Sequence, residues 1–240
     1  MVLEVFRDII SQFVMVFAAI SAVTGIIVLQ KLFHNRLKEL FDDSTYFIFF
    51  FMVLGYSLYA LGEVSLYLME KIEQSDASIG MADIYWAMGG IIILISYISL
   101  VSALLKKNRD PAILPKFFGV GVLIVGIVAF FLFGVIAPNA DVPFFNYFYP
   151  LISALIVSLA MSNIFFEKYI GDFGRPLMFF FIASCAILIA DVLFTLTTAQ
   201  GTYITGSLGT LTDLLYMVGY GLAAGGFLTL RSSMHMLAEK

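Results

Sequence analysis

The chain has 240 residues, 61% of them hydrophobic and 12% charged, with a net charge of −4 and a mean hydropathy of +1.00. A soluble domain is nearer half apolar and a quarter charged, so this composition excludes one, and continuous rather than alternating apolar runs exclude a β-barrel. There is no basic stripe to bind nucleic acid, and one cysteine, Cys185, allows no internal disulfide.

A bilayer core is crossed by about 20 apolar residues in a helix. Seven such spans are predicted, at 9–30, 45–69, 79–105, 117–137, 145–166, 176–199 and 206–230. The predicted fold is all-α and polytopic, a single seven-helix membrane domain over 1–240. Met1 to Asp8 reads as a short acidic tail with one base, Arg7, and without the basic n-region or cleavage site of a signal peptide.

The loops set the expected orientation. Lys31, Arg36 and Lys38 lie between spans one and two. Lys106, Lys107, Arg109 and Lys116 lie between three and four, and Lys168 and Arg175 between five and six. Arg231 and Lys240 follow span seven. Only Arg7 and Lys71 fall on the other side. Basic loops stay cytoplasmic, which puts the N-terminus outside and the C-terminus inside a cell membrane.

Pro111, Pro115, Pro138, Pro143 and Pro176 fall in loops or at helix starts, where a missing N–H costs little. Pro150 lies inside span five and implies a kink or a later start. Phe47 to Phe51 and Phe179 to Phe181 read as lipid-facing or core. Gly221 and Gly225 form a small-xxx-small pair suited to close helix approach.

An internal repeat is legible. Gly55 to Val64 aligns with Ala183 to Val192 at an offset of 128, placing Glu63 over Asp191. Ala82 to Gly89 aligns with Thr212 to Gly219 at an offset of 130, placing Asp83 over Asp213. Ile20-Ser21-Ala22 matches Ile152-Ser153-Ala154 more weakly. The expected plan is a parallel 3+1+3 repeat, with units at about 9–105 and 145–230 and a linker helix at about 117–137.

With that topology Glu63, Asp83, Asp191 and Asp213 fall at similar depth near the outer face. A carboxylate in hydrocarbon costs several kcal/mol unless paired or wetted. No lysine or arginine lies in the outer half of a span. The acids are therefore protonated, line a wet pocket, or hold a cation. All-oxygen ligands without buried His or Cys suit a hard metal ion, which the four acids would ligate, and an ammonium group also fits. Aromatic groups share their helix faces: Tyr56, Tyr59 and Tyr67 with Glu63, Trp86 with Asp83, Tyr216 and Tyr220 with Asp213; Thr195 follows Asp191 by one turn. Tyr59, Trp86 and Tyr216 are the expected ligand-lining rings, by cation–π attraction. The structural alternative is that Asp83 and Asp213 favour their own helix N-termini, that Glu63 reaches interfacial water, and that the rings form an interfacial belt.

His34 and His235 both fall on the cytoplasmic side and form no metal site. Neither a Gly-x-Ser-x-Gly elbow nor a P-loop occurs. The intramembrane histidines of ceramidase-type and adiponectin-receptor-type hydrolases are lacking, so no enzyme activity is expected.

Asp213 to Gly221 resembles the last helix of microbial rhodopsins, where a lysine four residues after an aspartate carries retinal. Met217 stands there, so no retinal is expected. Asp191-Val192-Leu193-Phe194, Gly201-Thr202-Tyr203, Gly206-Ser207, Asp213 and Gly219-Tyr220-Gly221 resemble the seven-span input domains that precede diguanylate-cyclase or histidine-kinase modules in bacteria and archaea. The resemblance implies a sensor. This chain reaches Lys240 without an output module, so output is expected through a membrane or cytoplasmic partner. The expected function is a receptor-like sensory protein binding a cation or small polar ligand. The alternatives are a small transporter or channel, since the 3+1+3 plan is shared by SWEET-type carriers, and an accessory subunit of a larger membrane complex. The lipid bilayer is the one certain partner, and an oligomer is compatible with the sequence.

Overall fold

The computed structural model describes residues 2–33, 38, 40–69, 80–108, 110–140 and 142–238, with side chains from Ile9 to Ser232 except Asp172. His34, Arg36, Lys71, Arg109 and Lys240 lie outside the described residues, as do the side chains of Arg7 and His235.

The described residues fold into seven long helices. They are α1 (Val2–Phe33), α2 (Ser44–Leu68), α3 (Met81–Lys107), α4 (Ile113–Phe130), α5 (Phe144–Ala160), α6 (Gly174–Ala199) and α7 (Ser207–Ala238). Phe131–Ile136 prolongs α4 as a π-helical turn. Each of the seven holds a stretch long and apolar enough to cross a membrane, so this is a multi-pass membrane protein. The expected spans match these helices within a few residues at most ends. The expected N-terminal tail does not: α1 starts at Val2. Span five ends as regular helix at Ala160, and short helical turns at Ser162–Phe165, Glu167–Ile170 and Gly171–Phe173 carry the chain to α6. Gly171 has a positive φ of 60° inside that turn, a conformation glycine adopts without a Cβ penalty.

Local chemistry explains the helix starts. The Asp43 carboxylate accepts the backbone N–H groups of Thr45 and Tyr46 at 2.8 and 3.2 Å and caps α2. Asp83 turns back to accept the Gly80 N–H at 2.9 Å at the start of α3.

Six helices form a closed ring. Going round it, α1 packs on α2, α2 on α3, α3 on α5, α5 on α6, α6 on α7, and α7 on α1. Helix α4 lies outside the ring against α5. It is the most exposed span, with 17% of its window buried, and Val122 and Phe130 are both 72% exposed. Such apolar exposure is the signature of a lipid-facing helix.

Close backbone approach fixes two of these pairs. A Cβ on Gly55 would stand 2.9 Å from the Gly89 carbonyl oxygen, and a Cβ on Gly89 2.9 Å from that of Gly55. In α6 and α7 a Cβ on Gly219 would stand 3.4 Å from the Ala183 carbonyl oxygen. Gly221 and Gly225 meet instead the rings of Phe17 and Phe179. The expected close approach therefore runs through Gly219, while the Gly221–Gly225 pair makes room for phenylalanines. In the interior, Phe180 and Phe227 meet edge to face at 4.8 Å, and Tyr56 packs on both, at 6.2 and 5.9 Å. Phe49 and Phe180 are core, and the other rings of those Phe runs are half-buried. Between helices, Ser96 donates to the Ile48 carbonyl at 2.7 Å and Asn163 to the Leu177 carbonyl at 2.7 Å.

The candidate site: four carboxylates and their tyrosines

The four acids gather at one end of the ring. That end holds the C-terminal ends of α2 and α6 and the N-terminal ends of α3, α5 and α7. Hydrogen bonds across it join α3 to α5, α5 to α6, and α2 to α7. At 1.5 Å per residue, Asp83 lies about 3 Å along α3, Glu63 about 8 Å from the end of α2, Asp213 about 9 Å along α7, and Asp191 about 12 Å from the end of α6. Asp191 is the deepest.

Each acid accepts a tyrosine hydroxyl. Tyr220 of α7 donates to Glu63 at 2.8 Å. Tyr149 of α5 donates to Asp83 at 2.6 Å. Tyr216 of α7 donates to Asp191 at 2.6 Å. Tyr203, in the connection between α6 and α7, donates to Asp213 at 2.7 Å. Asp191 also accepts the Ser153 hydroxyl of α5 at 2.5 Å, so both its oxygens are held by neutral donors from two other helices. Hydrogen bonds to a charged acceptor are the short, strong kind. No cation stands among the described partners of this carboxyl group, which is 6% exposed.

Helix α5 is shaped for this task by Pro150, which lies inside a continuous helix and does not mark its start. Proline has no N–H, so the Asn146 carbonyl four residues earlier loses its helical donor. Thr195 of α6 supplies one: its single hydroxyl proton is shared between Asn146 O at 2.5 Å and Asp191 O of its own helix at 2.9 Å. The face that carries Asn146 and Pro150 also carries Tyr149 and Ser153, at helical spacing. One proline-bearing face therefore serves Asp83, Asp191 and α6 together.

Tyr203 is placed by the end of α6. Gly201, at φ 66°, takes the left-handed position. Its N–H bonds to Thr198 O at 3.0 Å and that of Thr202 to Thr197 O at 2.8 Å, the paired closure of a Schellman motif. The chain then folds over the start of α7. A Cβ on Gly209 would lie 1.9 Å from the Tyr203 carbonyl oxygen, so the strap needs glycine there. Tyr203 also sits edge to face on Phe194 at 4.9 Å.

The expected site residues fare differently. Tyr216 is a direct partner of Asp191. Tyr59 packs edge to face on Tyr220 at 6.3 Å and lines a neighbouring cavity, without a described hydrogen bond to an acid. Trp86 lies over Gly62, where a Cβ would come within 2.4 Å of the indole, and meets Tyr149 edge to face at 6.2 Å. Its indole nitrogen is buried and has no hydrogen-bond partner among the described residues. The structural reading of Asp83 is met as far as its cap: one oxygen holds the Gly80 N–H, and the other holds Tyr149. Asp213 lies beyond the first turn of α7 and accepts the Tyr203 hydroxyl. Among the described residues no group of three or more Asp, Glu, His or Cys is placed to hold a metal ion. Of the expected metal set, Glu63, Asp83, Asp191 and Asp213 each accept a tyrosine hydroxyl.

Tyr149, Ser153 and Tyr203 were missed as partners. The signal for the first two is the polar stripe Asn146, Tyr149 and Ser153 around Pro150. For Tyr203 it is the tyrosine directly after Gly201-Thr202, since a left-handed helix end turns the following residues back over the bundle.

Comparison of the chain with protein-family models, with curated proteins and with solved structures finds no match.

Proposed function

We propose that this chain is a receptor-like sensory membrane protein of the cell membrane. A small cation or a small polar ligand bearing an ammonium group would enter the acidic end of the ring, compete for the carboxylates, and release the tyrosines that hold α7. The observation that carries this reading is Asp191, held between Ser153 of α5 and Tyr216 of α7 by neutral hydroxyls alone. A cation has a differential interaction with the state in which those hydroxyls have let go, which is what a ligand needs to shift a conformational equilibrium.

Helix α7 is the natural transmitter. It donates Tyr216 to α6 and Tyr220 to α2, and its Asp213 receives the Tyr203 strap. It then continues as one helix to Ala238, past the span that ends at Ser232. In this reading the acidic end faces outward and α7 delivers its motion to a cytoplasmic partner. The basic residues at the opposite end, Lys38, Lys106, Lys107, Lys116, Lys168, Arg175 and Arg231, support that orientation. No catalytic step belongs to this reading.

The 3+1+3 repeat is part of the proposal. The neighbour relations of the ring map onto themselves when α1, α2 and α3 are exchanged with α5, α6 and α7. The residues aligned at offsets 128 and 130 are also the contact points, Gly55 on Gly89 and Ala183 on Gly219. Both features support a duplicated three-helix unit with α4 as linker.

Trp86 is the chain's single tryptophan and stands against Tyr149, the partner of Asp83. Its fluorescence reports the site without a label. In lipid nanodiscs, titration with inorganic mono- and divalent cations and with small alkylammonium ions is expected to give a saturable change for at least one of them. Asp191→Asn is expected to abolish it. A folded protein unresponsive to every member of that panel contradicts the reading. Flux of the binding cation into liposomes, lost in Asp191→Asn, would replace it with a transporter.

A further inference from the structure

Below Asp191 the ring contains a small cavity between α2, α3, α5 and α6. It is lined by Tyr56, Tyr59, Ile93, Ser153, Ile156, Ser184 and Ile187, and its volume is about 10 Å³. That is room for a single water, about one probe sphere. A void walled only by isoleucine would stay dry, but four of these seven residues carry hydroxyls. Ser153 spends its proton on Asp191 and Ser184 spends its own on the Phe180 carbonyl at 2.8 Å. Both serine oxygens keep acceptor capacity, and Tyr56 and Tyr59 bring donors.

A second observation points to the same place. Tyr97 of α3 is 1% exposed, and its hydroxyl makes no hydrogen bond at ordinary distance among the described residues. It does not line the cavity but lies close to the Ser184 hydroxyl that does, one turn along α3 from the cavity residue Ile93. A buried hydroxyl without a partner costs on the order of 1–3 kcal/mol, and a phenylalanine would fill the same volume without that cost. A tyrosine kept here beside a hydroxyl-lined, water-sized void calls for a bridging molecule.

We propose that this cavity is a built hydration site: one buried water, held by Ser153, Ser184 and the hydroxyls of Tyr56 and Tyr59, with Tyr97 reached through Ser184. The water continues the hydrogen-bond chain that starts at Asp191 and Ser153, carrying it from the acidic end to α3 and α2 at mid-bundle. A change in the charge or partners of Asp191 then reorients hydroxyls on four helices. This site stands on its own geometry and does not depend on the nature of the ligand at the acidic end.

The test is a crystal structure of the full chain at a resolution that orders water, with a stability cycle on Tyr97→Phe and Ser184→Ala. The expected structure shows a density peak in the cavity within hydrogen-bond distance of at least two of its four lining hydroxyls. Tyr97→Phe and Ser184→Ala are each expected to lower the unfolding temperature, and the double variant to lower it by less than the two losses combined, because both act through one water. A dry cavity overturns the proposal. So does Tyr97→Phe that is as stable as the parent or more so, since that result belongs to a hydroxyl that never had a partner.

Discussion

A tyrosine hydroxyl is an economical partner for an intramembrane carboxylate. It donates one hydrogen bond, adds no charge of its own, and brings a ring that packs in the apolar phase. Asp191 shows what this does: Tyr216 and Ser153 satisfy its oxygens at 2.6 and 2.5 Å while the residue stays buried. Interhelical hydrogen bonds in lipid are worth roughly 0.6 kcal/mol on average and up to about 1.7. Tyr216→Phe is therefore expected to cost roughly 1 kcal/mol of stability in reversible unfolding from detergent or bicelles. In an Asp191→Leu background, where no acceptor remains, the same change is expected to cost nearly nothing. Equal costs in the two backgrounds would show that the hydroxyl stabilises the bundle by some other contact.

At the scale of the helix, α5 carries the least obvious piece of chemistry. Pro150 frees the Asn146 carbonyl, and Thr195 of α6 takes it at 2.5 Å. Pro150→Ala restores an N–H in the i+4 position and gives that carbonyl a second donor. Thr195→Ala is then expected to cost roughly 1 kcal/mol in the parent and distinctly less in the Pro150→Ala background, read by the same unfolding assay. An undiminished cost would mean that Thr195 acts through its bond to Asp191 O alone. The sequence made the helices legible because apolar length is a strong signal, and it made the acids legible because carboxylates are conspicuous in a chain with 12% charge. It also placed Tyr216 among the acids, one helical turn from Asp213 on α7. It did not reveal that Tyr216 serves Asp191 instead, since helix rotation is fixed by neighbours such as Gly219 against Ala183. Nor did it reveal Tyr149 and Tyr203, whose roles depend on the α3–α5 contact and on the turn at Gly201. Equal depth along the helices was readable, but which tyrosine each carboxylate accepts depends on how the helices are rotated against their neighbours.

For the whole molecule, the ring of six helices with α4 outside makes two ends of opposite character. One holds four carboxylates that each accept a tyrosine hydroxyl, the other Lys38, Lys106, Lys107, Lys116, Lys168, Arg175 and Arg231. The expected orientation places the basic end in the cytosol. Single-cysteine variants in a Cys185→Ser background test this: a cysteine at Thr202 is expected to react with a membrane-impermeant maleimide in intact cells, and one at Lys116 only after permeabilisation. The reverse pattern would put the acidic end inside and end the case for an outward-facing sensor.

The proposal turns on α7 being held to α2 and α6 by Tyr220 and Tyr216. Spin labels at Leu61→Cys on α2 and Leu208→Cys on α7, both outward-facing positions at 48% and 40% exposure, measure that restraint directly by electron–electron double resonance in nanodiscs. In the Cys185→Ser background a single narrow distance distribution is predicted, which broadens or shifts when Tyr216→Phe and Tyr220→Phe are introduced together. A distribution that stays equally narrow at the same distance in the double variant would contradict it, because α7 would then be fixed without its tyrosines.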